Sequence, residues 1–146
     1  MVGDCRKLNQ RTVTHAGYLP DSEVTVGYNK TYGRAFRGEI QGLALYGYAR
    51  DGASASEPVA VLREGTFNGS GGSTLGRDFV SRLTGDFTIE LSVRPGATQV
   101  THADILDFNH LDKVGIVIQQ KGDDQNRFIF AAGDGSSGAA IEYQLR

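Results

Sequence analysis

Between Asp86 and Pro95 the apolar residues Phe87, Ile89, Leu91 and Val93 recur at every second position, separated by Thr88, Glu90, Ser92 and Arg94. That is the period of a strand with one buried face. Such a face needs a second sheet to cover it, so the stretch predicts a β-sandwich whose core this strand crosses. The same alternation returns at Val24, Val26 and Tyr28, at Val114, Ile116 and Ile118, at Phe128 and Phe130, and at Ile141, Tyr143 and Leu145. Short β-branched and aromatic runs, 20 glycines against 3 prolines, and the lack of any long amphipathic helical pattern make the chain all-β.

One run breaks phase. Phe36 and Ile40 sit on even positions and Leu43 and Leu45 on odd ones, with Gly42 at the change. A β-bulge at that glycine would return all four side chains to a single inward face. Strand is also expected over 59–62 and 66–67 and over 104–108. The glycine- and serine-rich run Asn68 to Gly76 reads as a flexible connection, because it lacks the Gly-Lys-Ser/Thr ending and the following helix of a phosphate loop.

At 146 residues the chain fits one domain with a core large enough to do without disulfides. Lys and Arg number 15 against 17 Asp and Glu, a formal charge of -2, which supplies no field to draw nucleic acid or an anionic membrane as main partner. Cys5 is a lone cysteine and reads as an ordinary thiol. No apolar run reaches the roughly 18 residues of a membrane span, and the polar start Met1 to Lys7 is not a signal peptide. The location is left open by the residues themselves.

Phe87-Thr-Ile-Glu-Leu-Ser-Val-Arg-Pro, Asp104-Ile-Leu-Asp-Phe, Gly115-Ile-Val-Ile-Gln and Phe128-Ile-Phe-Ala resemble the first half of a concanavalin A-like lectin/glucanase domain, of the laminin-G-like and pentraxin-like kind. Phe36-Arg-Gly-Glu-Ile-Gln-Gly-Leu-Ala-Leu-Tyr resembles the closing strand of the same family. The halves stand in swapped order: 1–50 resembles the family's C-terminal part, 51–76 the connection and 77–146 the N-terminal part. The resemblance implies a jelly-roll sandwich, circularly permuted or cut across two tandem domains, and an extracellular or cell-surface setting. The family's usual Trp is Ser92 here, and the chain has no Trp at all. A missing central strand would leave one sheet edge open to a partner strand or a second copy, as a homo-oligomer or strand-swapped dimer.

The resemblance makes calcium the ion to look for, held by turn oxygens. The candidates are Asp107 and Asn109 with Asp112, Asp123 and Asp124 with Asn126, and Asp134. Turn Asp and Asn otherwise serve the local backbone. His15, His102 and His110 are isolated from any further His or Cys at zinc spacing. A retaining glycoside hydrolase needs two carboxylates facing one cleft. Asp104 and Asp107 are three apart, which on a regular strand puts them on opposite faces, so an enzyme is not expected. Asn29-Lys-Thr and Asn68-Gly-Ser match the glycosylation acceptor pattern.

Recognition by surface remains. Sugars are held by aromatic faces and planar polar groups, and Tyr28, Asn29, Tyr32, Arg34, Tyr46 and Tyr48 concentrate such groups in one part of the sequence. The expected function is a non-catalytic carbohydrate-binding or adhesion module, its partner a glycan or a protein surface. The alternative is a structural or protein-interaction module with an open strand edge.

Overall fold

The computed structural model describes residues 23–48, 57–83, 86–108, 114–134 and 138–145. The strands are β1 (Val24–Val26), β2 (Tyr28–Asn29), β3 (Arg34–Ala35), β4 (Arg37–Tyr46), β5 (Ala60–Asn68), β6 (Ser73–Gly76), β7 (Thr88–Pro95), β8 (Asp104–Asp107), β9 (Val114–Lys121), β10 (Asp124–Asp134) and β11 (Gly138–Gln144). A single 3-10 turn, Val80–Arg82, is the one helical element among the described residues. The protein is all-β. One sheet runs β11-β10-β9-β8-β1-β6, with the β2–β3 hairpin attached to β8, and the other runs β5-β4-β7. All neighbours are antiparallel except for a single parallel bridge, Ala35 to Asp104.

The two sheets share one core. Val24, Val26, Ile105, Leu106 and Ile116 of the larger sheet pack with Ile40, Leu43 and Leu45 of the smaller one, together with Phe36, Phe79 and Phe108. The bulge expected at Gly42 is present: the β4–β7 register shifts between Gln41 and Ala44, and Gly42 has φ 60°. The extra residue reverses the strand's phase, so Phe36, Ile40, Leu43 and Leu45 are all fully buried.

The 86–95 stretch is a strand whose alternating face lines the core, with Phe87, Ile89, Leu91 and Val93 packed against its cluster. β7 pairs only with β4 among the described residues, and Phe87, Ile89, Leu91 and Val93 are half-buried. Alternation reveals which face turns inward; it carries no information on whether a strand lies at the centre or the edge of its sheet. β4 is the centre of the smaller sheet, paired with β5 on one side and β7 on the other, and its bulge keeps Ile40, Leu43 and Leu45 on one buried face. The glycine-rich connection is also shorter than expected. β5 continues unbroken to Asn68, and Ser73–Gly76 pairs with β1, which leaves 69–72 as the link.

Candidate functional site

β8 contains a second bulge, and it decides the chemistry of the chain. Asp104 lies opposite Gln119 of β9 and Leu106 lies opposite Ile118, so two residues of β8 face one of β9. Ile105 and Leu106 therefore both enter the core and are fully buried. Residues opposite each other on antiparallel strands share a face. Asp104 shares Gln119's face and Asp107 shares that of Thr25, while Leu106 shares that of Val26 and Ile118. The bulge thus sets Asp104 and Asp107 on one face, away from the core, and corrects the expectation that their three-residue spacing parts them.

That face is covered. Asp104 is 0% exposed and Asp107 is 5% exposed. The β2–β3 hairpin supplies the cover: Asn29, itself buried, donates from Nδ2 to Asp107 Oδ2 at 3.0 Å. Asn29 Oδ1 accepts from the Tyr32 backbone N–H at 3.1 Å, closing the hairpin loop, which turns through Gly33 at φ 64°. Thr25 Oγ1 donates to the Tyr28 carbonyl at 2.7 Å and fixes the entry to β2. Neither carboxylate oxygen of Asp104 has a hydrogen-bond partner among the described residues.

Burial pushes Asp104 up to about 7, and the neighbouring Asp107 charge adds to it; Arg34 and the Asn29 amide pull the other way. The Arg34 guanidinium is held over the Tyr32 ring, 4.5 Å from its centroid. Tyr32 is 47% exposed, so the hairpin presents a supported aromatic face outward and a polar side chain inward.

Of the residues picked for ligand binding, Tyr28, Asn29, Tyr32 and Arg34 thus form the hairpin. Tyr46 ends β4 on the other sheet and Tyr48 lies two residues beyond it; their rings meet edge to face at 5.8 Å and Tyr46 is buried. Among the residues picked for a metal, Asp107 is in the buried cluster. Asp123 is an exposed turn residue, and Asp124 accepts from the Asn126 N–H and faces Arg127 at 3.7 Å. Asn109 and the Asp134 side chain lie outside the described residues. No three His, Cys, Asp or Glu side chains converge among the described residues. The sequence reading set Asp104 aside on its spacing from Asp107, because its surroundings are made by the hairpin and by a bulge; the one legible signal was an acid at each end of a short apolar run.

No family model, curated protein or solved structure matches the chain. What the site can do follows from its own geometry. His102 has φ 58°, and its backbone N–H bonds the Gly122 carbonyl while its Nδ1 accepts from the Gly122 N–H, a structural use of the ring. His15 and His110 lie outside the described residues. The acceptor pattern at Asn29 is spent inside the fold, since glycan attachment there would disrupt the hydrogen bonds that hold its buried amide; Asn68 is exposed. A cleft of about 310 Å³ lies elsewhere, lined by Val59, Leu75, Asp78, Phe79 and Arg82, and shares no residue with the hairpin.

Proposed function

We propose that this protein is a non-catalytic carbohydrate-binding or adhesion module, of the permuted concanavalin A-like jelly-roll kind that its strand motifs resemble, with the β2–β3 hairpin as its glycan platform. The observation that carries this reading is Tyr32, a large aromatic ring left half in solvent and yet held by two contacts, one of them anchored in turn. Its backbone bonds Asn29, its ring stacks on Arg34, and Asn29 is anchored to Asp107. A ring immobilised before the ligand arrives loses little entropy on binding, and a sugar's apolar face stacks on such a ring while the guanidinium and nearby amides take its hydroxyls.

A catalytic reading has less support. Asp104 and Asp107 share a face and differ in environment, as an acid and a nucleophile would, but both are sealed beneath the hairpin, and a sugar bond needs access to them. A glycan-array screen tests the binding reading. Selective binding that Tyr32→Ala abolishes supports it, and no binding by folded protein defeats it.

A second reading is favoured by β7. Its outer edge has no strand partner among the described residues, while Ile89, Leu91 and Val93 are half-buried. An added strand would complete their burial, making the protein a strand-pairing interaction module. The exposed pair Arg94–Glu39, at 3.6 Å, bridges β7 to β4 on the side away from that edge. Light scattering over a hundredfold range of concentration separates the readings: a mass that rises with concentration favours strand pairing, and a constant monomer mass opposes self-pairing.

A further inference from the structure

We propose that the cleft beside β5 binds an extended peptide, which adds a strand to the open edge of the smaller sheet and seats an aliphatic side chain in the cleft. Three consecutive residues, Val59, Ala60 and Val61, line one wall. Neighbouring residues of an extended chain point to opposite faces, so all three border one cleft only where it runs along the strand's edge. Apart from β4, β5 has no strand partner among the described residues. Alternate residues of β5 therefore turn an N–H and a C=O toward that edge with no described strand to receive them.

The opposite wall belongs to the larger sheet. Leu75 of its edge strand β6 and the buried Phe79 supply apolar surface, and the exposed Asp78 and Arg82 stand at the rim. This wall is fixed before any ligand arrives. The Phe79 ring meets Phe108 edge-on at 6.3 Å, and the Leu83 N–H bonds the Val80 carbonyl at 3.0 Å. Gly47, just past β4, makes room for the 3-10 turn: a β-carbon there would lie 2.7 Å from the Arg82 carbonyl oxygen. On the strand side, the Val59 N–H bonds the Leu45 carbonyl at 2.7 Å. A preformed cleft of about 310 Å³ lets a ligand bind without first ordering its site.

The chemistry of the walls selects the occupant. Val61 is 51% exposed, more than any other large hydrophobic side chain among the described residues. A free strand edge offers N–H and C=O groups at a spacing that another extended backbone matches, and an adjoining apolar cleft takes one of that backbone's side chains. A second copy of the chain fits less well. Two-fold pairing of β5 with itself would bring each molecule's 3-10 turn against the other's edge, and a cleft of this size admits a single extended chain rather than the edge of a folded sheet. The site shares no residue with the β2–β3 hairpin and lies across the smaller sheet from β7, so its occupancy is independent of a glycan at the first and of a strand at the second.

The test titrates the whole isotope-labelled chain with short synthetic peptides, each carrying a single Val, Leu or Ile in a Ser/Thr background. Amide resonances of Val59–Val61 and Asp78–Arg82 should shift and saturate with at least one peptide. Val61→Lys, a change at an exposed side chain, should weaken binding about tenfold or more, while Val100→Lys, at a side chain 45% exposed outside the cleft, keeps it. Methylating the peptide's backbone nitrogens should abolish binding, because a methylated nitrogen donates no ladder bond. Absence of binding by every peptide overturns the proposal, and so does binding that survives backbone methylation. Shifts at the same residues on raising the protein concentration alone would assign the edge to a second copy and overturn it as well.

Discussion

The Asn29 side chain and the Asp107 carboxylate meet at 3.0 Å across 78 positions of sequence, and their hydrogen bond ties the β2–β3 hairpin to β8. Both groups are buried, so the bond cannot be exchanged for one to water at no cost. Asn29→Ala should destabilise the protein by about 1–3 kcal/mol, read from the midpoint of a urea melt. Asn29→Asp should cost more, because it adds a third acid to the pair; equal melts for all three proteins would disprove this role.

Asp104 predicts an unusual pH dependence. Its carboxyl is raised from the ordinary 3.8 to about 7 in the fold, by burial first and by Asp107 second, against Arg34 and Asn29. Between those values the folded chain holds a proton that the unfolded chain has released, so stability falls as pH rises through the window. Above it the cost is complete, on the order of 4 kcal/mol. Asp104→Asn should flatten this part of the profile and melt above wild type at pH 8. A wild-type stability that climbs from pH 4 to pH 7 would contradict the assignment.

Tyr32 is exposed and stands outside the core cluster. Tyr32→Ala should therefore lower stability by no more than about 0.5 kcal/mol while removing glycan binding. Arg34→Ala should weaken binding less, since the ring remains. Parallel melts and array signals separate loss of contact from loss of fold.

The central place of β4 makes a quantitative contrast. Leu45→Ala removes a fully buried side chain and should cost about 2–5 kcal/mol. Val93→Ala, on half-buried β7, should cost about 1 kcal/mol. A loss at Val93 as large as that at Leu45 would contradict this ranking.

The glycines of β4 separate strain from collision. Gly42 has φ 60° and open space where a β-carbon would stand, so Gly42→Ala should cost about 1–2 kcal/mol. Gly38, at φ 139°, is crossed closely by the Arg94 carbonyl, and an added β-carbon would also lie 2.9 Å from the Gly96 nitrogen. Gly38→Ala should cost more than Gly42→Ala in the same urea melts, because it must also push β7 away.

Much of the fold was legible in the residues. Alternation at Val24–Val26, Ile116–Ile118 and Phe128–Phe130 marked strands, because a pleated chain with one buried face must repeat every second residue, whereas Tyr28 falls in a separate strand beyond a turn at Gly27. The phase change at Gly42 announced its bulge, since a glycine there both permits the positive φ and explains why inward residues move from even to odd positions. Tyr28, Asn29, Tyr32 and Arg34 stood within seven residues of one another, and a local hairpin was enough to keep them together.

What sequence spacing left undetermined was whatever depends on pairing between distant strands. The edge position of β7 follows from which neighbour β4 accepts on each side, and Ile89, Leu91 and Val93 would alternate in either place. The bulge in β8 has no glycine to mark it. It exists because Ile105 and Leu106 are both drawn into the core, and that displacement turns Asp104 and Asp107 to a common face. Asn29 and Asp107 carry no local sign of each other; only the folded sheet brings the hairpin amide onto the carboxylate. The sequence by itself determined the strand content and the inward residues, because these rest on a local period. Tertiary structure decided the acidic cluster, because register, bulge and cover are properties of strands meeting in space.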